Sequence, residues 1–272
     1  MRAYHAVVTG AGSGIGRAFA VELGRRGSAV LVTDVDEKGA QETVELVKQA
    51  GGRAHAVRCD VSKLEDVEHA AEVAERLHGP TDLCINNAGV MIGGNLGEIP
   101  IDHWRFIVGV NLWGTIHGAH VFTPRFKANG GGKFLNVASI SGIISTPETA
   151  PYNTTKAAII ALSETMAAEL GKFGITTTVL CPTGVRTNIF NAMQAPEIQR
   201  KLAVKAASRG KARTPEEVAK LALAAADRGD IYLFPQIDGK VAWAIKRFFP
   251  TSFVKLSREA RNREWMEKLG GS

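Results

Sequence analysis

Tyr152 and Lys156 stand four residues apart in APYNTTKAAI, just after Pro151, a residue suited to the first turn of a helix. Residues four apart share a helix face, so the phenol and the ammonium can point into one cleft. A phenol titrates near ~10 and is a weak base at neutral pH. A neighbouring ammonium, and a positive cofactor ring, favour the phenolate and lower that value. The tyrosine can then take a proton from an alcohol as hydride leaves, or return it to a ketone. Such chemistry needs a third group to hold the substrate oxygen. Ser139 ends the apolar run KFLNVAS, thirteen residues before Tyr152. Ser141 is a rival, and either serine can be a simple turn residue.

Hydride needs an acceptor, and a glycine-rich stretch near the start of the chain suits one. VVTGAGSGIGRAFA places Gly10, Gly12, Gly14 and Gly16 between an apolar run and an amphipathic one. Glycines there permit positive φ and bring a diphosphate close to backbone N–H groups at a helix N-terminus. The strict G-x-G-x-x-G spacing fails, because counting from Gly10 ends on Ile15 and from Gly12 on Arg17. T-G-x-x-x-G-x-G fits from Thr9 to Gly16, and Gly10, Ser13, Gly14, Ile15 and Gly16 are the expected cofactor contacts. A tight strand–helix turn without a ligand is the plainer reading. Asp34, eighteen residues beyond Gly16, ends the second apolar run, where a carboxylate can accept hydrogen bonds from an adenosine ribose. It would repel a 2′-phosphate and so favours NAD over NADP, with Arg17 as a counterweight that could hold a phosphate. Asp36 is assigned to the next helix cap. CDVS (59–62) and NNAG (86–89) each follow a strand-like run and add Asp60, Val61, Asn87 and Gly89 to the same edge; Asp60 is equally suited to capping a turn.

The elements that must carry these residues alternate along the chain. Residues 5–9, 29–33, 54–59, 82–86, 133–138, 175–180 and 230–235 are apolar and strand-like, and the stretches between most of them are long enough for crossover helices. The pattern predicts a single α/β domain, a Rossmann-type doubly wound parallel sheet of about seven strands with helices on both faces. ARTPEEVAKLALAAADRG predicts a helix capped by Thr214, opened by Pro215 and closed by Gly229. The length of 272 residues and the 45% hydrophobic content suit one sizeable core. The absence of an apolar run long enough to span a bilayer and of a signal-peptide layout points to a cytoplasmic protein. Three scattered cysteines, Cys59, Cys84 and Cys181, predict reduced, buried thiols rather than disulfides or a metal site. The seven histidines show no ligand spacing; His117 and His120 suit packing.

The chain resembles the short-chain dehydrogenases/reductases of the compact type, over about residues 3 to 190. The motifs that carry the likeness are Thr9–Gly16, Asp34, Asp60-Val61, Asn86–Gly89, Asn111, Ser139, and Tyr152 with Lys156. The resemblance implies Tyr152 as general acid/base and Ser139 as the residue that orients the substrate oxygen. It implies that Lys156 lowers the tyrosine pKa and binds the nicotinamide ribose, and that Asn111 anchors a water in a proton relay. It also implies that Val185 and Thr187, in CPTGVRTNIF, meet the carboxamide. Thr183 stands where the family has glycine, with Gly184 one place later. A homodimer or homotetramer is implied through the helices that hold Asn111 and Tyr152.

Met91, Ile92, Ile140, Ile143, Ile144, Ile189, Phe190 and Met193 flank these motifs and predict an apolar pocket, closed by a lid at about 186–213. The expected substrate is a small-molecule secondary alcohol or ketone of steroid, terpenoid or lipid type. The Rossmann domain is expected to run to about 239, with 240–272 as a basic helical extension. Lys240–Ser272 holds eight Lys and Arg residues against three Glu, although the whole chain carries only +6. Packing on the protein itself is the first reading of that extension, with a dimer contact or an anionic membrane surface as others. No nucleic-acid-binding fold is evident. Two other functions compete: a sugar-nucleotide epimerase, which needs glycine at Ser13, and a sensor that binds nicotinamide dinucleotide without turnover. The complete Ser139, Tyr152 and Lys156 set favours the oxidoreductase.

Overall fold

The computed structural model describes residues 2–187, 189, 193–197 and 212–269, with side chains as far as Glu259. Seven strands form one parallel sheet in the order β3-β2-β1-β4-β5-β6-β7. They are β1 (His5–Thr9), β2 (Ala29–Asp34), β3 (Arg53–Arg58), β4 (Leu83–Asn86), β5 (Gly132–Val137), β6 (Ile175–Leu180) and β7 (Tyr232–Leu233). The central strands are buried except at His5 and Asp34, as their apolar sequences require of a sheet covered on both faces. β7 is shorter than the six residues expected. Pro235 has no N–H to extend the ladder, and the Asp230 carbonyl is taken by the Thr178 hydroxyl at 2.7 Å.

The helices are α1 (Gly14–Arg25), α2 (Glu37–Gln49), α3 (Leu64–His78), α4 (Ile101–Ile107), α5 (Gly114–Ala128), α6 (Ser141–Ile144), α7 (Ala150–Leu170), α8 (Pro215–Arg228), α9 (Ile237–Phe248) and α10 (Pro250–Leu269). The expected signals close α8. Thr214 and Glu217 form a reciprocal capping box and Gly229 adopts the left-handed conformation. One core packs α1, α2 and α8 on one sheet face, centred on Phe19, Leu23, Val30 and Leu223. The other packs α3, α5 and α7 on the opposite face through Phe122, Phe126, Phe134 and Met166. All three cysteines are free and buried.

The order reverses direction at β1, whose neighbours β2 and β4 lead away to opposite sides, and a crevice opens at the carboxyl ends of β1 and β4. Behind it lies a buried amide chain. Asn86 Nδ2 donates to Asn136 Oδ1 at 2.8 Å across the β4–β5 register, and Asn136 Nδ2 donates to Ser163 Oγ on α7 at 3.0 Å. This chain ties α7 to the strands that end at the site. Asn136→Ala strips partners from buried polar groups and should cost about 1–3 kcal/mol in urea unfolding, whereas an exposed substitution such as Gln41→Ala should cost little.

Candidate active site

The candidate residues collect at one edge: loops at the strands' carboxyl ends carry most of them, and α7 and the turn between α4 and α5 bring Tyr152, Lys156 and Asn111. The loop after β1 is held against the loop after β4. The Thr9 hydroxyl oxygen accepts from the N–H groups of Asn87 and Ala88 at 3.0 and 3.1 Å, and Asn87 Nδ2 donates to the carbonyls of Thr9 and Gly10 at 2.8 and 3.0 Å. The contact is close enough to demand glycine. Gly10 has φ +62°, and a Cβ there would lie 2.7 Å from Ala88 Cα; one at Gly16 would overlap the Gly10 carbonyl. Gly14, with φ +54°, is different: its open side meets only Thr187, 3.6 Å from an added Cβ. Ser13 is the N-cap of α1 without a side-chain capping bond, and Ile15 lies in the first turn.

Asp34 sits beside this loop, accepting from Gly12 N–H at 2.8 Å and Asp36 N–H at 3.0 Å. Asp36 is the N-cap of α2 but makes no side-chain cap bond. Arg17 is turned inward, donating to Gly12 O at 2.5 Å and Thr43 Oγ1 at 3.0 Å and pairing with Glu42 at 3.0 Å. Asp60 behaves as a turn residue, its carboxylate accepting from Ser62 N–H and Oγ at 3.1 and 2.7 Å. Val61 is buried and its carbonyl meets His117 Nδ1 at 2.8 Å.

Tyr152, Lys156, Ser139, Asn111 and Gly89 are brought together. All four side chains are buried. Lys156 Nζ donates to the Val137 carbonyl at 2.8 Å and lies 5.6 Å from the Tyr152 ring centre. An added Cβ at Gly89 would lie 3.5 Å from that Nζ and 3.3 Å from Asn111 Oδ1. Ser139 is a polar neighbour of the Tyr152 phenol that draws its pKa down, and its oxygen accepts from Ser141 N–H at 3.1 Å. Ser141 Oγ instead accepts from Thr146 at 3.4 Å, away from the tyrosine. Asn111 lies in a π-helical turn, Val108–Trp113, between α4 and α5. Its amide is spent on protein: Nδ2 donates to Val90 O at 3.0 Å and Thr155 Oγ1 at 3.2 Å, and Oδ1 accepts from Val90 N–H at 2.8 Å.

The electrostatics differ from the sequence expectation. Burial pushes the Tyr152 phenol up to about 12, with Ser139 pulling the other way. The expected lowering by Lys156 does not emerge, because burial also penalises the ammonium and brings it down to about 8 from its ordinary 10.5. A positive cofactor ring is the part of the expected field that this chain does not itself supply.

Val185 is buried and bridges Arg213, and Thr187 N–H donates to Val185 O at 2.8 Å. The displaced glycine after β6 is accommodated by Gln236, which gave no signal in the sequence. Its buried amide accepts from Thr183 N–H at 3.1 Å and donates to Gly184 O at 2.6 Å. Thr155 and the Val137 carbonyl were equally silent, since only the fold sets them beside Asn111 and Lys156.

The apolar residues divide. Met91, Ile92, Ile107 and Met193 pack with Tyr152, and Ile189 joins them. The backbone of Met91 and Gly93 pairs with Gln194, closing this side. Ile143 instead packs near Tyr232 and Phe234, and Ile140 lies near Gly239. The expectation that both line the pocket is corrected in that respect, because α6 turns Ile143 towards β7. Phe190 and most of the expected lid lie outside the described residues. Among those described, no group of three or more His, Cys, Asp or Glu could hold a metal.

The family model for short chain dehydrogenases matches residues 4–198. A structure of a short-chain dehydrogenase/reductase from Burkholderia phymatum in complex with NAD is similar over 89% of this chain and 92% of that one, with TM-score 0.84 and 32% identity. The cyclohexanol dehydrogenase of Acinetobacter sp. strain SE19 is 33% identical over 215 residues, 79% of this chain and 84% of that protein. The probable oxidoreductase EphD of Mycobacterium tuberculosis strain H37Rv is 36% identical over 183 residues, 67% of this chain. The chain spans about a third of EphD's length, 31%. The chain belongs to the short-chain dehydrogenase/reductase family, oxidoreductases that use NAD or NADP.

The lowered Lys156 value has a consequence for stability. Between about pH 8 and 10.5 the unfolded chain binds the proton that the folded one has lost, so stability rises with pH across that window. Thermal melting without cofactor should show wild type gaining on Lys156→Met from pH 8 to 10; parallel curves would mean that the ammonium is not buried.

Proposed function

We propose that this protein interconverts an apolar secondary alcohol and its ketone with NAD, with Tyr152 transferring the proton. The observation that carries the reading is the buried constellation of Tyr152, Ser139 and Lys156 at the carboxyl edge of the sheet, beside the β1–α1 glycine loop. The residues fit a nicotinamide dinucleotide: Gly14 leaves a cradle open towards Thr187, Asp34 offers a carboxylate, and Lys156 offers an ammonium. When bound, that group supplies the hydride acceptor. Asp34 holds the ribose hydroxyls of the adenosine half and disfavours a 2′-phosphate, and Arg17, already committed to Gly12, Thr43 and Glu42, is not free to receive one. NAD in the Burkholderia phymatum relative supports the same preference.

Ser139 orients the substrate oxygen towards the Tyr152 hydroxyl, and the phenolate of Tyr152 takes the alcohol proton. Lys156 holds the nicotinamide ribose and supports the phenolate. Asn111 acts through its backbone contacts with Val90, fixing the strip that leads into the pocket. Its role is to position, and any water it anchors must be held by an atom other than the committed Nδ2. Met91, Ile92, Ile189 and Met193 admit an apolar ring or chain beside Tyr152, under a lid formed by about 186–213. The cyclohexanol dehydrogenase relative acts on a substrate of that class, as its name states. Exposed Ile101, Phe106 and Trp113 near the Asn111 turn are the surface through which we expect a homodimer or homotetramer, and the three reduced thiols suit the cytoplasm.

Nicotinamide absorbance with a panel of cyclic and lipid-like secondary alcohols tests the reaction. Tyr152→Phe should lose about 10²–10⁴-fold in turnover with NAD affinity retained; full turnover would reject the proton role. Asp34→Ala should weaken NAD and narrow its advantage over NADP by about tenfold, roughly 1.4 kcal/mol. An unchanged ratio would reject the ribose contact.

A further inference from the structure

α9 has two faces of opposite use. One packs on the domain: Gly239 is buried against Thr183, Trp243 packs on Tyr232 and Phe234 with ring centres 5.9 and 5.4 Å away, and Lys246 donates to the Ile143 carbonyl. The other carries Ile237, Val241, Ile245 and Phe248, which the spacings of four, four and three align along one side of the helix. They are 82%, 51%, 47% and 74% exposed. Phe249 continues the stripe at the junction with α10. Among the described residues nothing covers it, and a contiguous apolar stripe of this kind marks an interaction surface.

The charge around the stripe selects the occupant. Lys240 and Arg247 flank it on α9, Lys255 and Arg258 are exposed on α10, and the stretch from Lys240 to Ser272 holds eight basic residues against three acids. A twofold contact with a second copy would set this basic surface against itself. An anionic lipid surface would satisfy both the stripe and the charge, as an amphipathic helix lying in the headgroup plane does.

We infer that the exposed face of α9, with the start of α10, docks on an anionic phospholipid bilayer as a peripheral contact. No helix among the described residues is long and apolar enough to cross a membrane, so the contact lies on the surface. The docked helix adjoins the site, because Gly239 touches the segments of Ile140 and Thr183 that follow Ser139 and β6. The inference concerns location and stands whether or not the substrate assignment holds.

Co-sedimentation of the full chain tests it, with vesicles of phosphatidylcholine alone and of phosphatidylcholine mixed with phosphatidylglycerol. Wild type should pellet with the mixed vesicles at low salt, be released by high salt, and stay in the supernatant when neutral vesicles are pelleted. Lys240→Gln with Arg247→Gln should weaken binding about 25-fold, about fivefold for each charge near the surface. Val241→Glu with Ile245→Glu should abolish it while melting temperature and NAD affinity stay unchanged. If that pair does not fold, Val241→Gln with Ile245→Gln carries the same expectation. Failure of wild type to pellet with mixed vesicles overturns the inference, as does binding that survives both sets of changes. Light scattering that shows the apolar substitutions splitting an oligomer, without vesicle binding in wild type, assigns the face to a second copy and also overturns it.

Discussion

Sealing the Lys156 ammonium inside the protein, with the Val137 carbonyl as its hydrogen-bond acceptor, is the constraint to which the surrounding structure answers. A buried, incompletely paired charge costs several kcal/mol. Stability alone would remove it. Keeping it requires that α7 be held firmly to β5, which the Asn136–Ser163 hydrogen bond and the packing of Met166 achieve. The same helix then delivers Tyr152 one turn earlier to the same place, beside Ser139 at the end of β5. Burial opposes charge on both members of the pair, so the protein by itself holds a neutral, high-pKa phenol next to a weakened ammonium. A cationic ring brought against the phenol would shift that balance towards the phenolate.

The sheet order makes this economical. Because β1 and β4 are neighbours at the reversal, the glycine loop and the Asn87 turn are tied to each other by hydrogen bonds. The π-helical turn at Val108–Trp113 does comparable work from the other side. It carries Asn111 into the gap between Val90 and Thr155, coupling the strip after β4 to the tyrosine helix. Gln236 anchors the third wall by clamping the Thr183–Gly184 backbone, which lets an altered loop sequence keep its course.

Much of this was legible from spacing. Continuous apolar runs separated by helix-length segments carried the parallel sheet, and strand ends carried the edge where Asp34, Asn87, Ser139 and Val185 fall. A four-residue interval placed Tyr152 and Lys156 on one face of α7 because helix periodicity is local. Contacts made across the fold were not legible. Nothing in the sequence joins Gln236 to Thr183 or Asn111 to Thr155, since those pairs exist only once β6 and β7, or the π-helical turn and α7, have packed. The pocket was half legible: Met91 and Met193 meet at Tyr152, but the turn of α6 sends Ile143 elsewhere, and that direction depends on tertiary packing. The rise of the tyrosine pKa in the protein alone was not legible for the same reason. Proximity of an ammonium can be read from spacing, whereas the burial that outweighs it cannot.

Under the proposed function, Tyr152 is a buried phenol that cofactor binding should make acidic. The chain has only three tyrosines, Tyr4, Tyr152 and Tyr232, so the phenolate can be followed by ultraviolet difference titration of wild type against Tyr152→Phe. Without cofactor, the Tyr152 signal should emerge above the ordinary 10, near about 12. With saturating NAD it should move to well below 10. A titration that NAD leaves in place would contradict the account.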